Sequence, residues 1–389
     1  MRVTMLVRND MQHDARVAKE ARTLAVAGHQ VTVLAEAGGG LPLREEADGY
    51  VVLRVRRPDT KIIGLRYLAH RRGVLRELLA TAPDVFHAHD ADALEPVGVA
   101  AQRLGVPYVY DSHELFLKQK RRGRGRAYWA GFLALYAWVE RRYVRDSAGR
   151  ITVSRPIADY LGRRYGRHFE LVPNYPEVDA SPTRREIRSL PGAERIPAEA
   201  PIVLRLGGLT PGRGVEQLVD AMALVEGAHL VLLGQGSIAH DLRRRADDRG
   251  VGDRVHVMAP VPEAQVVDYA TSAQVGVSPA IPSSLNDAYS LPNKLFQYMA
   301  AGIPIVASDF PHLREIVLQP RAGLLADMRD PRAIAAAIGS VLRDPAATSE
   351  MGANGRRAAL TRFNWQRSAE TLLALYQRIE RGEAYGEAG

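Results

Sequence analysis

The chain has 389 residues, 46% of them hydrophobic and 25% charged, a profile that excludes disordered and fibrous classes and fits a soluble globular enzyme. At roughly 100–200 residues per domain, the length exceeds one ordinary core and suits two α/β domains. No cysteine is present, which excludes disulfides, thiolate metal sites and cysteine nucleophiles and leaves chemistry to His, Asp, Glu, Arg and the backbone. The net charge is +8, from 52 Lys and Arg against 44 Asp and Glu. Arginine supplies most of it, and guanidinium forks bind phosphate in a bidentate way, so an anionic partner is expected. No apolar run approaches the roughly 20 residues of a membrane span. Met1 to Val7 leads directly into Arg8, Asn9 and Asp10, unlike a signal peptide. A cytoplasmic protein is expected, with at most peripheral contact with the inner face of the membrane.

Val3 to Val7 reads as a short strand, followed by helical spacing through Val17, Ala21, Leu24 and Ala25 up to Gly28, then a strand over Val31 to Leu34. The alternation continues with strands at Val51 to Val55, Asp84 to His87 and Tyr108 to Tyr110, separated by helical segments ending near Leu79 and Leu104. A second series follows Pro201, with strands at Ile202–Leu206, His229–Leu233, Arg254–Val257, Val275–Ser278 and Ile303–Ala307. Such alternation predicts two doubly wound parallel sheets. Residues 1–175 are expected to form the first domain and 201–364 the second. Between them, 176–200 lies within a stretch from Pro173 to Pro201 that holds six prolines and many charges, read as a linker. The helix at 365–389, with Leu372, Leu373, Leu375 and Tyr376, is expected to return to the first domain. Ligands of such sheets sit beyond the carboxyl ends of the strands, and two facing sheets would enclose a cleft.

Three places carry chemistry. In YSLPNKLFQYMAAG, Tyr289 to Gly302, Pro292 disfavours helix at Leu291 and suits a helix start. Leu295, Phe296, Met299 and Ala300 then share a face, and Gly302 is a stop signal. Lys294 in the first turn, beside free backbone N–H groups, makes a place for a diphosphate, although an ordinary loop and cap would read the same way. After the first strand of the second series come Gly207, Gly208, Arg213 and Gly214; glycine admits close backbone approach and Arg213 adds charge, while tight turns also occur for structural reasons alone. Gly234 and Gly236 form a similar, weaker turn.

At the strand ends of the first series stand His87, His89, Asp90, Asp111, His113 and Glu114. His113 is placed for a polar contact to a sugar or for acid–base work, with a structural loop histidine as the other reading. His87 and His89 share one strand face but lack partners of metal-ligand spacing, so no metal site is expected. The basic run Lys118–Arg126 precedes an aromatic stripe of Trp129, Phe132, Tyr136 and Tyr143. This stripe is expected to be core with solvated charges beside it, and contact of 118–143 with an anionic membrane is the alternative. No nucleic-acid module is recognisable, and the first turn lacks the GxGxxG of a nicotinamide enzyme.

Taken in order, DARVAKEARTLAVAGHQVTVLA (14–35), DVFHAHDADAL (84–94), YDSHELF (110–116), LVPNYPE (171–177), GGLTPGRGVEQLVDAM (207–222) and LPNKLFQYMAAGIPIVASD (291–309) resemble the retaining GT-B glycosyltransferases of family four, in the branch that reads PNKLFEYMAAG. The resemblance implies two Rossmann-like domains, a nucleoside-diphosphate sugar (UDP or GDP) held mainly by the second and a sugar-containing, lipid-linked or small-molecule acceptor by the first. It also implies transfer with retention, without metal or cofactor. Carried over position by position, it implies that Arg213 and Lys294 meet the diphosphate and His113 the transferred sugar, with Gly207, Gly208, Gly234, Tyr289, Ser290, Leu291, Asn293 and Gln297 around the donor. The family's paired glutamates fall at Tyr289 and Gln297, so neither carboxylate is present; Gly208 stands where many members have arginine. A sugar-nucleotide epimerase on the same architecture is one alternative, and a non-catalytic nucleotide-sugar-binding homologue, raised by the missing glutamates, is the other.

Overall fold

The computed structural model describes residues 1–58, 63–120, 123 and 125–383, with the backbone alone for 63–67. Two compact units emerge, one built from residues 1–174 together with the stretch from Ser368 onward, the other from residues 175–367.

The first unit contains β1 (Arg2–Leu6), β2 (Gln30–Glu36), β3 (Arg44–Ala47), β4 (Tyr50–Val55), β5 (Val85–His89), β6 (Tyr108–Ser112), β7 (Gly149–Thr152) and β8 (Glu170–Leu171). They are ordered β3-β4-β2-β1-β5-β6-β7-β8. Among the described residues every pairing is parallel except β3–β4, a hairpin closed by Asp48 and Gly49, both at positive φ, as its tight turn requires. β5 and β6 extend two residues beyond the expected ends, and every residue of both is buried. His87, His89 and Asp111 are thereby drawn into the sheet, where each must find a polar partner.

The second unit contains β9 (Ile202–Leu206), β10 (His229–Leu233), β11 (Val255–Met258), β12 (Val275–Ser278), β13 (Ile305–Ser308) and β14 (Gly323–Ala326), all parallel, in the order β11-β10-β9-β12-β13-β14. Apolar clusters cover both faces, as buried parallel strands demand. The expected linker at 176–200 is instead part of this unit. Ile187, Ala193 and Ile196 are buried in its core, and the Ile187 N–H donates to Ser272 Oγ at 3.0 Å. Apart from a 3-10 turn at Ile187–Ser189 it has no helix or strand, and its prolines do not prevent anchorage.

Two further findings concern helices. Along Trp365–Glu380, Ser368 Oγ donates to the Pro173 carbonyl at 2.8 Å. Tyr376 Oη lies 2.9 Å from His87 Nδ1, and Leu375 occupies the space a side chain at Gly149 would need. The helix Arg126–Tyr143 buries only Val139, Glu140 and Tyr143, so the expected core stripe is corrected. Tyr128, Leu135 and Trp138 are 47%, 47% and 54% exposed, because this helix packs chiefly against the helix Ala91–Leu104. Of the basic run before it, Arg121, Arg122 and Arg124 lie outside the described residues.

β9 and β12 pair through only Val203–Val275 and Leu204–Gly276 and then part, opening the crevice where strand order reverses. Parting would strand buried backbone groups. The hydroxyl of Tyr298, on the helix Asn293–Ala301, enters the gap, accepts the Leu206 N–H at 3.0 Å and lies 3.2 Å from both the Leu204 and Val277 carbonyls. Gly276 makes room for the ring, since a Cβ there would lie 2.4 Å from Tyr298 Cγ. Tyr298→Phe leaves the Leu206 N–H buried without an acceptor and is expected to cost about 1–3 kcal/mol in urea unfolding. Gly276→Ala overpacks the same contact, with an expected cost of about 1–3 kcal/mol.

Candidate functional site

In the second unit, Pro292 caps the Asn293–Ala301 helix in extended geometry and Gly302 ends it at φ 73°. A pocket of about 330 Å³ opens beside this helix. Asn293, Lys294 and Gln297 form one wall, Gly207 and the ends of β9 and β10 another, and Pro260, Val261 and Val266 an apolar third. Gly207 and Gly208 are exposed, and Gly207 has φ 96° with open space where a side chain would be, a loop that lets a ligand reach the backbone.

The pocket's electrostatics are one-sided. Burial pushes the Lys294 ammonium down to about 7, and Arg205 and Arg213 push in the same direction. No hydrogen bond or ion pair to Lys294 occurs among the described residues. Arg213 is half exposed, with Nη1 3.8 Å from Asp287 Oδ1. Arg205 went unnoticed within the apolar strand Ile202–Leu206. It is buried, donates to the carbonyls of Gly207 and Gly208 from beneath, and leaves Nε without an acceptor. The available signal was a charged residue inside a five-residue buried strand. With Gln297 in place of a carboxylate, the residues that line the pocket include no acid, and Asp287 faces Arg213 from outside the lining.

Other expected donor residues are placed differently. Gly234 is buried and supports the turn: a Cβ there would lie 2.2 Å from the Gly207 carbonyl oxygen, so the glycine serves close backbone packing. Leu291 packs on the core. Ser290 Oγ donates to the Asp287 carbonyl at 3.0 Å, and the Ser290 carbonyl lies 3.2 Å from His312 Nε2. Tyr289, Ser290 and Leu291 thus shape the approach to the helix and do not line the pocket.

In the first unit, chemistry gathers at the carboxyl ends of β1, β5 and β6. Arg16, on the helix Ala15–Val26, forms a buried fork on Asp111, with Nε to Oδ2 at 2.9 Å and Nη2 to Oδ1 at 2.8 Å. A third bond runs to the Val172 carbonyl at 2.5 Å. Asp111 Oδ2 also lies 2.9 Å from His113 Nε2. Asp90 Oδ2 lies 3.3 Å from His113 Nδ1. Burial alone would lower the His113 pKa, but Asp90 and Asp111 outweigh it and raise it to about 10. Burial likewise opposes ionisation of Asp111, and Arg16 and His113 overcome it, holding the carboxyl well below its usual range. His113 at neutral pH is therefore an imidazolium, which removes the general-base option for it.

Glu20, His87, His89 and Asp111 bring ligand atoms within 4.8 Å of one another. Partners for the two histidines do exist, supplied by a helix and a neighbouring strand, which spacing along one strand could not reveal. Asp111 is committed to Arg16 and His113, and the guanidinium lies 3.0 Å from Glu20 Oε1. Two of the four, Glu20 and Asp111, face the Arg16 guanidinium, while Nε2 of His87 and of His89 has no hydrogen-bond partner among the described residues.

Two parallel-sheet α/β units, with chemistry at the carboxyl ends of the strands and an acid-poor cationic pocket in the second, define a GT-B architecture. The chain belongs to the glycosyltransferases: residues 15–177 match the family described as Glycosyltransferase Family 4, and residues 200–344 match Glycosyl transferases group 1. It is 29% identical over 391 residues to a D-inositol 3-phosphate glycosyltransferase of Xylanimonas cellulosilytica, covering 92% of this chain and 90% of that one. A glycogen synthase of Mycobacterium tuberculosis is 27% identical, with 92% and 89% covered. Among solved structures, sucrose-phosphate synthase from Thermosynechococcus elongatus superposes with TM-score 0.77 at 20% identity over 98% of this chain and 100% of that one. Anabaena HepE in complex with UDP-glucose gives 0.76 at 16% identity over 97% and 99%.

Arg16→Met strands the buried Asp111 carboxylate and is expected to cost about 3–5 kcal/mol in unfolding measurements. The folded pKa of His113 is raised, so its contribution is complete below about 6.5, the ordinary histidine value, and is lost as pH rises through about 10. The fall in stability over that window is expected to shrink in His113→Gln.

Proposed function

We propose that the chain transfers a sugar from a nucleoside-diphosphate sugar to an acceptor hydroxyl with retention at the anomeric carbon and without a metal ion. The observation that carries the donor assignment is that Lys294 lines a pocket whose wall lacks a carboxylate, with Arg205 and Arg213 near enough to act on it. Neighbouring cations repel one another, and a diphosphate relieves that repulsion while its leaving charge grows in the transition state. Arg213 and Lys294 meet the diphosphate, helped by the first N–H groups of the Asn293–Ala301 helix. Gln297 stands near the ribose, and the base rests on the apolar wall of Pro260 and Val261. Arg205 steadies the Gly207–Gly208 loop from below. UDP and GDP are the donors to try first, since one structural neighbour is a complex with UDP-glucose and one relative is named a GDP-mannose-dependent mannosyltransferase.

The first unit supplies the acceptor side and His113. As an imidazolium whose two ring N–H groups are taken by Asp111 and Asp90, His113 offers the transferred sugar its positive charge; same-face attack, with the leaving phosphate taking the proton, accounts for retention. The exposed Tyr128, Leu135 and Trp138 beside basic residues suit peripheral contact with an anionic membrane on its cytoplasmic side. No helix among the described residues is long and apolar enough to cross a membrane.

Calorimetry with UDP- and GDP-sugars is expected to detect binding that weakens about 10–100-fold in Arg213→Ala, the loss of charge-assisted bonds. No binding by any donor would sink the assignment. Free Lys294 loses its proton above about 7 and bound diphosphate restores it, so affinity should fall as pH rises from about 7 to about 9. Lys294→Met should abolish that slope. With a working acceptor, NMR of the product should show the donor's anomeric configuration, and EDTA should leave turnover unchanged. Flotation with phosphatidylglycerol vesicles is expected for the parent and reduced in Leu135→Ser/Trp138→Ser; unchanged flotation removes the membrane contact.

A further inference from the structure

Asp90 follows the last residue of β5 and precedes the helix Ala91–Leu104, the position where an aspartate ordinarily accepts a hydrogen bond from the helix's first turn. Its side chain makes no capping bond. It turns instead to His113, with Oδ1 accepting the His113 backbone N–H at 2.9 Å and Oδ2 3.3 Å from Nδ1. The backbone there has φ 65° and ψ 171°, a conformation that belongs almost entirely to glycine. It is locked in place by the Asp90 N–H, which donates to the Asp111 carbonyl at 2.8 Å. A side chain stands where glycine would relieve the backbone, and the bonds it makes serve one neighbouring residue.

We propose that Asp90 is a positioning residue, which fixes the ring and backbone of His113 in one orientation and as the imidazolium, at the cost of local strain and an unused helix cap. This rests on the reading that His113 serves the transferred sugar. Other groups face the ring too. His89 Nδ1 lies 3.2 Å from Nε2, Asp111 binds Nε2 from β6, and Arg16 holds Asp111 from the helix behind. Asp92 and Glu20 act at longer range. Asp111 thus anchors one nitrogen whatever stands at position 90, and among the described residues Asp90 alone grips both the ring and the main chain.

The test uses the full chain with isotope-labelled histidine, the His113 signals being assigned by their loss in His113→Gln. In Asp90→Asn the His113 titration midpoint is expected to fall by about one pH unit or more, the loss of one facing charge. In Asp90→Gly the same fall is expected together with a melting temperature equal to or above the parent's, because glycine accepts this backbone. An unchanged His113 titration in Asp90→Asn overturns the proposal. So does an Asp90→Gly protein that melts several degrees lower with its His113 titration intact, which would make Asp90 a structural cap. Release of nucleoside diphosphate from UDP-glucose and GDP-mannose separates the underlying reading. If His113→Ala turns over donor at the parent's rate while Asp90→Asn moves the His113 titration, the role of His113 in transfer fails and the positioning by Asp90 stands.

Discussion

The second unit is organised around one phenolic hydroxyl. A parallel sheet must part somewhere for a ligand to enter, and parting exposes backbone groups that cannot be left unpaired. Tyr298 meets that demand for β9 and β12, and in doing so sets the position of its helix. Lys294 stands one turn earlier on the same helix, so a ring sunk between strands draws the lysine under cover with it. Gln297 and Asn293 follow from the same pin. The glycine at 276 is the counterpart in the sheet, a missing side chain that admits the aromatic ring.

The two units handle charge in opposite ways. In the first, a guanidinium, an imidazolium and carboxylates close on one another, and both Asp111 oxygens are used within the protein. Such contacts fix the orientation of Asp111 and His113. In the second, cations gather beside a pocket wall without an acid, an arrangement unfavourable by itself and favourable once an anion arrives. The glutamine at 297 and the tyrosine at 289 sharpen that contrast by removing the carboxylates that the family resemblance would put there.

Local signals carried much of this. Pro292, Lys294 and Gly302 mark a helix with a free start and a left-handed stop, and the structure has both ends there. The alternation of apolar runs fixes most strands, since buried parallel strands are nearly continuous in hydrophobicity. Readings failed where a residue's meaning depends on distant partners. Arg205 looks like an anomaly in a strand until its loop folds over it. Ile187 and Ile196 look like stray apolar residues among prolines until a core receives them. Gly234 looks like a ligand-binding glycine until the Gly207 carbonyl is seen against it. The aromatic residues of Arg126–Tyr143 have the spacing of a core stripe, and nothing local reveals that their helix is buried only near its carboxyl end.

The helix Trp365–Glu380 has a consequence for biosynthesis. Its Tyr376 meets His87 and its Leu375 fills the space beside Gly149, so the first unit is built from segments that lie before and after the second in the chain. When residue 174 leaves the ribosome, the sheet of that unit still lacks part of its cover, and it waits through the synthesis of nearly two hundred residues of the other unit. The usual order, in which the amino-terminal domain folds first as a finished unit, does not hold for this chain: the second unit is complete in sequence before the first can close.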